Sequence, residues 1–491
     1  MASFLERYHQ LTKYDPRTID TLGDADWGEQ PEPWKPISGG EHIDLRPYLT
    51  MLTGADQAGS DWHYATTGQL DLAALARIAW FAAGINGIGG GEGQGQHLYR
   101  TNPSAGGLYP VELYWAVFDV PGLEPGIWMF HGPAFSLIPV WKGDFRGDFR
   151  EHFLRNPSLE GAGAVALLTG IFGRGRWRYK ERAWRRMLLD AGHLLANLQE
   201  AGRREGLDTL PLSGFVDEGI GDLLFPEEGE VPLLGVAVGR DLDRTGPRAV
   251  KSPPPDPERL RTVPEPGHMQ EMAHALGNIP LTGEHAPVPD GDWIQVDGPD
   301  YVPLPKGIGI PGTALAAVLR RSCRAYRGHS RIDLQSFGAI LEWSYAPLVE
   351  GQGLCPPGTI FHWIAVLGVD GLEPGIWHYD PNTHAVALCK PGDFRKECRA
   401  VSLGQELSHD AAFVLFQTTE LGVAVATLGE RAYRPLCMDA GLVGERLNLS
   451  TQALGLGSSG IGGYFDDLGN ELLDRPLFEA LIYVSTVGVP G

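Results

Sequence analysis

The seven-residue word Gly122–Trp128, reading Gly-Leu-Glu-Pro-Gly-Ile-Trp, returns unchanged as Gly371–Trp377. The offset, 371 minus 122, is 249. At that offset Gly143–Arg146 meets Gly392–Arg395, Asp190–Gly192 meets Asp439–Gly441, and Phe215–Asp217 meets Tyr464–Asp466. The final apolar runs, ending at Gly239 and Gly488, align as well. One offset held over more than a hundred residues means two copies of a single fold in one chain. A chain of 491 residues also exceeds what one hydrophobic core accommodates, so two domains is the natural expectation. The boundaries read as 1–240 for the first domain with an N-terminal extension, 241–306 for a proline-rich crossover, and 307–491 for the second domain.

Within each copy the patterns are those of a mixed α+β fold. Apolar runs at 111–118, 127–130, 164–168 and 231–238 read as strands. Spacing of three and four residues predicts helices over 70–83, 186–200 and 332–343, with a short helical stretch at 269–276. Pro31–Pro36 reads as an extended segment over a surface. Gly84–Gly95 is too glycine-rich to pack, which makes 84–98 a candidate lid, with a solvated connector as the equal alternative. Arg174–Lys180 reads as a basic patch.

The copies differ where chemistry is expected. The front copy carries Asn102–Pro110, a stretch of Pro103, Ser104, Ala105, Gly106 and Gly107 followed by Leu108 and Tyr109. With almost no side chains, its backbone can lie flat against a ligand. As an isolated match, an ordinary loop entering a strand explains it equally well. At the repeat offset the back copy has Gln352–Pro356, which lacks that character. The back copy instead carries Arg320, Arg321, Ser322 and Arg324, and the corresponding place in the front copy, near Gly59–His63, has no arginine. Two guanidinium forks with a hydroxyl between them suit a phosphate. Taken alone, such a run reads better as a solvated basic face; the paired losses argue otherwise. Each copy keeps one half-motif and lacks the other, which points to shared sites of which one survives.

The formal net charge of −21 argues against nucleic acid or an anionic membrane as a partner. Five cysteines without a Cys-x-x-Cys pair suit a cytoplasmic, reduced protein and give no metal-ligand spacing. Gly307–Gly312 fits the dinucleotide pattern literally, but no strand convincingly precedes it and a proline sits in the turn.

Taken together, Arg-x-Ser-x-Arg, a helix, Pro-Ser-Ala-Gly with Tyr-Pro, the Gly-Leu-Glu-Pro-Gly turn and the Asp190–His193 helix resemble the nitroreductase superfamily. Within it the chain resembles the SagB/ThcOx-type dehydrogenase branch, as a fused tandem. The resemblance implies two nitroreductase-like domains forming an intramolecular pseudo-dimer, with FMN as cofactor and the fused halves in place of a homodimer. It implies that Arg320, Ser322 and Arg324 hold the FMN phosphate, with Arg321 adding charge or backbone. Pro103, Ser104, Ala105, Gly106 and Gly107 would pack on the flavin ring. The run Gly455, Leu456, Gly457, Ser458 and Ser459 resembles the family's glycine-rich turn over that ring. The branch's proton-transfer pair maps to Tyr179 and Lys180, here in the order Tyr-Lys, and His193 reads as an interface histidine. The expected function is an FMN-dependent oxidoreductase acting on a peptide-derived or small-molecule intermediate. The alternatives are an NAD(P)H-dependent nitro, quinone or flavin reductase, and a non-catalytic binding module with a vestigial flavin site.

Overall fold

The structure is a computed structural model that describes residues 3–23, 25, 27–37, 40–49, 68–89, 97–224, 229–258, 267–282, 285–288 and 300–491. The Gly59–His63 stretch, residues 90–96 of the glycine tract and parts of the proline-rich crossover lie outside them.

Two seven-stranded antiparallel sheets carry the two repeats. The strands of the front repeat are β1 (Ile43–Asp44), the hairpin strands β2 (Ile85–Gly89) and β3 (His97–Arg100), then β4 (Val111–Val117), β5 (Gly126–His131), β6 (Ser136–Lys142), β7 (Ala162–Ile171), β8 (Asp208–Leu212) and β9 (Glu230–Gly239). The back repeat has β10 (Val302–Pro303), β11 (Phe361–Val366), β12 (Gly375–Asp380), β13 (Ala385–Pro391), β14 (Phe413–Glu420), β15 (Gly457–Ile461) and β16 (Glu479–Gly488). The front order β1-β6-β5-β4-β7-β9-β8 becomes β10-β13-β12-β11-β14-β16-β15 behind. The register repeats too. Trp115 faces Ala166 across β4 and β7, and Ile364 faces Leu415, each 249 residues on, across β11 and β14. Even the irregularities recur, with register shifts at Leu168/Thr169 and at Gln417/Thr418.

Local chemistry explains why these elements form where they do. Asp71 and Asp333 cap the helices Leu72–Ala83 and Leu334–Val349, accepting from Ala74 N at 2.8 Å and Ser336 N at 2.7 Å. The repeated word is a turn. Gly122 and Gly371 have φ of +87° and +91°, a region that side chains resist. The Trp128 and Trp377 indoles then donate to the Glu124 and Glu373 carbonyls at 3.2 and 3.0 Å. Strand β4 is buried throughout, which accounts for its unbroken apolar run.

The compact units do not follow the chain order 1–240, 241–306, 307–491. One unit, here the front unit, is Ala25–Pro289 with Leu428–Met438; the back unit is Met1–Asp24, Asp290–Thr427 and Asp439–Gly491. The N-terminal residues join the back unit through Lys13, which pairs with Asp467 at 2.7 Å, and through Tyr14 N, which donates to Asp466 at 3.3 Å. Asp217, at the corresponding place in the front unit, is held by the guanidinium groups of Arg431 and Arg434. The described crossover residues up to Pro289 pack into the front unit; Ser252 N donates to Leu428 O at 3.0 Å and Ile279 N to Asp217 at 2.9 Å.

Three expectations are corrected. The glycine tract is not unpacked throughout, because Ile85–Gly89 pairs with His97–Arg100 as a hairpin. Pro31–Pro36 is not merely surface, since Lys35 is buried and donates to Glu230 at 2.5 Å and to the Tyr114 hydroxyl at 2.8 Å. Arg174 does not contribute to a basic surface patch: it is buried and its charge is met by Glu112 at 2.6 Å.

The repeats are filled differently. His362, His378 and His384 are buried in the back unit where the front repeat has Leu113, Met129 and Phe135. Tyrosines partner them: Tyr345 lies 3.0 Å from His362, Tyr301 2.8 Å from His378 and Tyr379 2.9 Å from His384. Burial lowers the His362 pKa to about 3 and the His378 pKa to about 4. Both lie below the unfolded value, so their contribution to stability is present above about pH 6.5 and is lost as pH falls through that range. H362L should therefore show a shallower loss of stability between pH 6.5 and 4.5 than wild type in urea titrations. Equal slopes would contradict the assignment.

Candidate functional site

The front loop is held from below and bare on top. Ser104 is extended, Ala105–Gly107 forms a single helical turn, and Gly106 and Gly107 have φ of +67° and +65°. The Ser104 hydroxyl donates to Asp190 Oδ2 at 2.6 Å and accepts from Tyr109 N at 2.9 Å, while Ala105 N reaches Asp190 Oδ1 at 3.4 Å. Burial pushes the Asp190 pKa up to about 7, opposed by the hydrogen bonds from Ser104 and Ala105. Pro103, Ser104 and Ala105 are half-buried, and Gly106 is exposed.

Two side chains close on the glycines. A Cβ on Gly106 would lie 2.5 Å from the Tyr179 hydroxyl, and one on Gly107 would lie 2.8 Å from His97 Nε2. Tyr179 ends the helix Phe172–Tyr179, and the Arg186 guanidinium stacks 3.5 Å from its ring centroid. The fold thus brings Tyr179 to the loop. Lys180 is not gathered with it: it is exposed, with a positive φ of +50° and Nζ 3.4 Å from the Trp177 carbonyl. Behind the loop, the Tyr109 hydroxyl accepts from Arg100 N at 3.0 Å and its carbonyl accepts from Arg174 at 2.8 Å. Glu112 is buried between the two arginines, at 3.5 and 2.6 Å.

The back unit gathers the second half-motif. Arg320 follows the helix Thr313–Leu319 and is buried, with Nε 3.8 Å from Glu445. On the helix Tyr433–Ala453, Asn448 donates to Glu445 at 2.9 Å and accepts from Ser458 Oγ at 2.7 Å. Thr451 Oγ1 completes the chain, 2.9 Å from Ser458 Oγ. One line of polar contacts therefore runs from Arg320 to Ser458. Cys323 N donates to Ser458 O at 2.8 Å, and a Cβ on Gly457 would lie 2.8 Å from Cys323 Sγ. Arg321 and Arg324 are exposed and Ser322 is half-buried, with Arg321 Nη1 donating to the Arg320 carbonyl at 2.6 Å. Gly455 ends the helix in the left-handed conformation (φ +70°), and Leu456 N returns to Thr451 O at 2.8 Å. Gly457, Ser458 and Ser459 lie in β15 rather than in an irregular loop.

These residues fit the cofactor that the resemblance implies. Gly106 and Gly107 put side-chain-free backbone on an exposed to half-buried loop, packed against Tyr179 and His97, and Arg321 and Arg324 present guanidinium groups at the surface beside a buried, paired Arg320. Sequence reasoning passed over Asp190, Arg186 and His97 as site residues. Asp190 did have a signal, since it recurs at the repeat offset as Asp439. His97 had none, because a loop histidine without periodic context reads like any other.

The model of the Nitroreductase family matches residues 60–240 and 317–489, most of the chain. The chain belongs to the nitroreductase family and is an oxidoreductase of that family. A protein of Anabaena variabilis ATCC 29413, crystallised under a provisional nitroreductase assignment, is 33% identical, with a TM-score of 0.86 and 100% of both chains covered. Among curated proteins, MJ1384 of Methanocaldococcus jannaschii, provisionally named a nitroreductase, is 27% identical over 174 residues, 35% of this chain and 83% of the relative. The trifolitoxin-processing protein TfxB of Rhizobium leguminosarum bv. trifolii is 30% identical over 119 residues, 23% of this chain and 32% of that protein.

G106A should destabilise the protein by about 1–2 kcal/mol, because alanine resists positive φ and its methyl meets the Tyr179 hydroxyl. Denaturant midpoints test this, with G221A as a control, where nothing lies within 4 Å of the added Cβ. Equal losses in the two variants would refute the strain.

Proposed function

We propose that the chain is an FMN-dependent oxidoreductase of the SagB/ThcOx-type branch, with one flavin site drawing its ring-contacting loop from the front repeat and its phosphate ligands from the back repeat. The observation that carries this is the pair of left-handed glycines at Gly106 and Gly107, a side-chain-free stretch of loop against which Tyr179 and His97 pack. The complementary loss of half-motifs in the two repeats supports a single live site. Similarity to a protein named for trifolitoxin processing supports a natural-product intermediate, peptide-derived or small, as substrate.

In this reading Arg320, Ser322 and Arg324 bind the phosphate, with Arg321 adding positive charge. Pro103, Ser104, Ala105, Gly106 and Gly107 hold the ring, and the Gly455–Ser459 segment supplies backbone amides to its heteroatoms. Bound FMN supplies the hydride chemistry. Tyr179 Oη, set against Gly106, gives a proton to a substrate on the loop or takes one from it. Arg186 fixes the orientation of the Tyr179 ring. Lys180, being exposed, adds positive charge at the surface rather than a second proton-transfer group.

Reconstituted protein should be yellow and bind one FMN per chain; two per chain would overturn the single-site proposal, and colourless protein would favour a binding module. R324A should weaken FMN binding by on the order of 10- to 100-fold, the worth of a charged hydrogen bond, and flatten its salt dependence. Y179F should keep FMN affinity while lowering turnover. Bleaching of the flavin by NADPH without another substrate would favour the reductase alternative.

A further inference from the structure

We infer that Asp190 is the positioning residue of the ring-contacting loop: through the Ser104 hydroxyl, its carboxyl group fixes where the Ala105–Gly107 backbone lies. This deepens the proposed flavin site and rests on it.

The two repeats supply an internal comparison. In the back unit Asp439 accepts from Leu354 N at 2.9 Å and Cys355 N at 2.8 Å. Leu354 stands 249 residues after Ala105, whose amide meets Asp190. The same helix position therefore anchors the same loop position in both units. The front unit adds a serine at the junction. Ser104 Oγ donates to Asp190 at 2.6 Å and accepts from Tyr109 N at 2.9 Å, so one hydroxyl links the helix to both ends of the turn. The back loop has neither that serine nor the left-handed glycine pair.

The junction has two hydrogen-bond arrangements one proton apart. With Asp190 ionised, the serine O–H donates to it and Ala105 N–H is drawn in. With Asp190 protonated at Oδ2, the carboxyl O–H donates to Ser104 Oγ, and the serine hydrogen turns away from the helix. The charged and titratable groups facing Asp190 are Arg186 on its own helix, Arg100 at the end of β3, and His193, whose Nδ1 lies 3.9 Å from Oδ1. Burial outweighs the two arginines, and Asp190 changes charge near pH 7. The folded pKa is above the unfolded one, so this group's contribution to stability is present below the unfolded pKa and lost as pH rises toward 7.

The test uses the full chain and three variants: D190N, which is isosteric and cannot ionise; S104A; and D439N, which makes the same change in the other repeat. Wild-type FMN affinity should change by about tenfold between pH 6 and 8, a one-unit coupling to the Asp190 titration. D190N and S104A should lose that change and keep only the shallower slope set by the FMN phosphate, whose second pKa is about 6, and D439N should follow wild type. A pH dependence in D190N as steep as wild type, or one lost equally in D439N, overturns the inference. Backbone amide exchange of residues 102–110, measured without flavin at one pH, should be faster in D190N and S104A than in wild type and unchanged in D439N. If FMN fails to bind any of these proteins, the flavin reading falls, and the exchange data alone decide the role of Asp190.

Discussion

A carboxylate taken out of water costs several kcal/mol unless donors surround it, and each repeat is built around two of them. Glu230 and Glu479 open the last strands of their sheets. Glu230 accepts from Thr169 at 2.6 Å and from Lys35, and Glu479 accepts from Thr418 and from Arg475 at 2.7 Å. The threonines correspond at the repeat offset; the cations do not, coming from an N-terminal segment in one case and a turn four residues away in the other. Asp190 and Asp439 form the second pair. Their donors come from the loop that opens the central strand, the Ser104 hydroxyl and Ala105 amide for Asp190 and the Leu354 and Cys355 amides for Asp439, so satisfying the carboxylate and shaping the loop are one event.

That constraint explains how the loop can be bare. A glycine pair in the left-handed region would be loose if nothing fixed its ends. Here Asp190 and Ser104 tie down one side, and Tyr109, held by Arg100 and Arg174, ties down the other. Tyr179 and His97 then close on the glycines from the flanks. The back unit uses the same scaffold differently: its loop is pinned by Asp439 but has Cys355 and Pro356 in place of Gly106 and Gly107, while Arg320 is anchored through Glu445, Asn448 and Ser458. The scaffold is duplicated, and the chemistry is divided.

Much of this was legible in the chain. The repeat offset carried over to strand order, register and even the positions of the irregular pairs. Strands and helices fell where apolar periodicity put them, because burial on one or both faces leaves a local trace. Lys35, Arg174 and the Ile85–Gly89 hairpin were misread for one shared reason. Composition predicts exposure for lysine, arginine and glycine on average, whereas a distant partner decides the individual case: Glu230 for Lys35, Glu112 for Arg174, His97–Arg100 for the hairpin.

The sequence by itself determined that the fold is doubled and which half-motif each copy keeps, because identity at a fixed offset survives in one dimension. Only the tertiary structure decided that Asp190 grips Ser104, that Tyr179 rather than Lys180 meets the loop, and that residues 3–23 pack with the back repeat. Those contacts join residues far apart in the chain, and a hydrogen bond or a close packing contact leaves no periodic mark on either partner's neighbours.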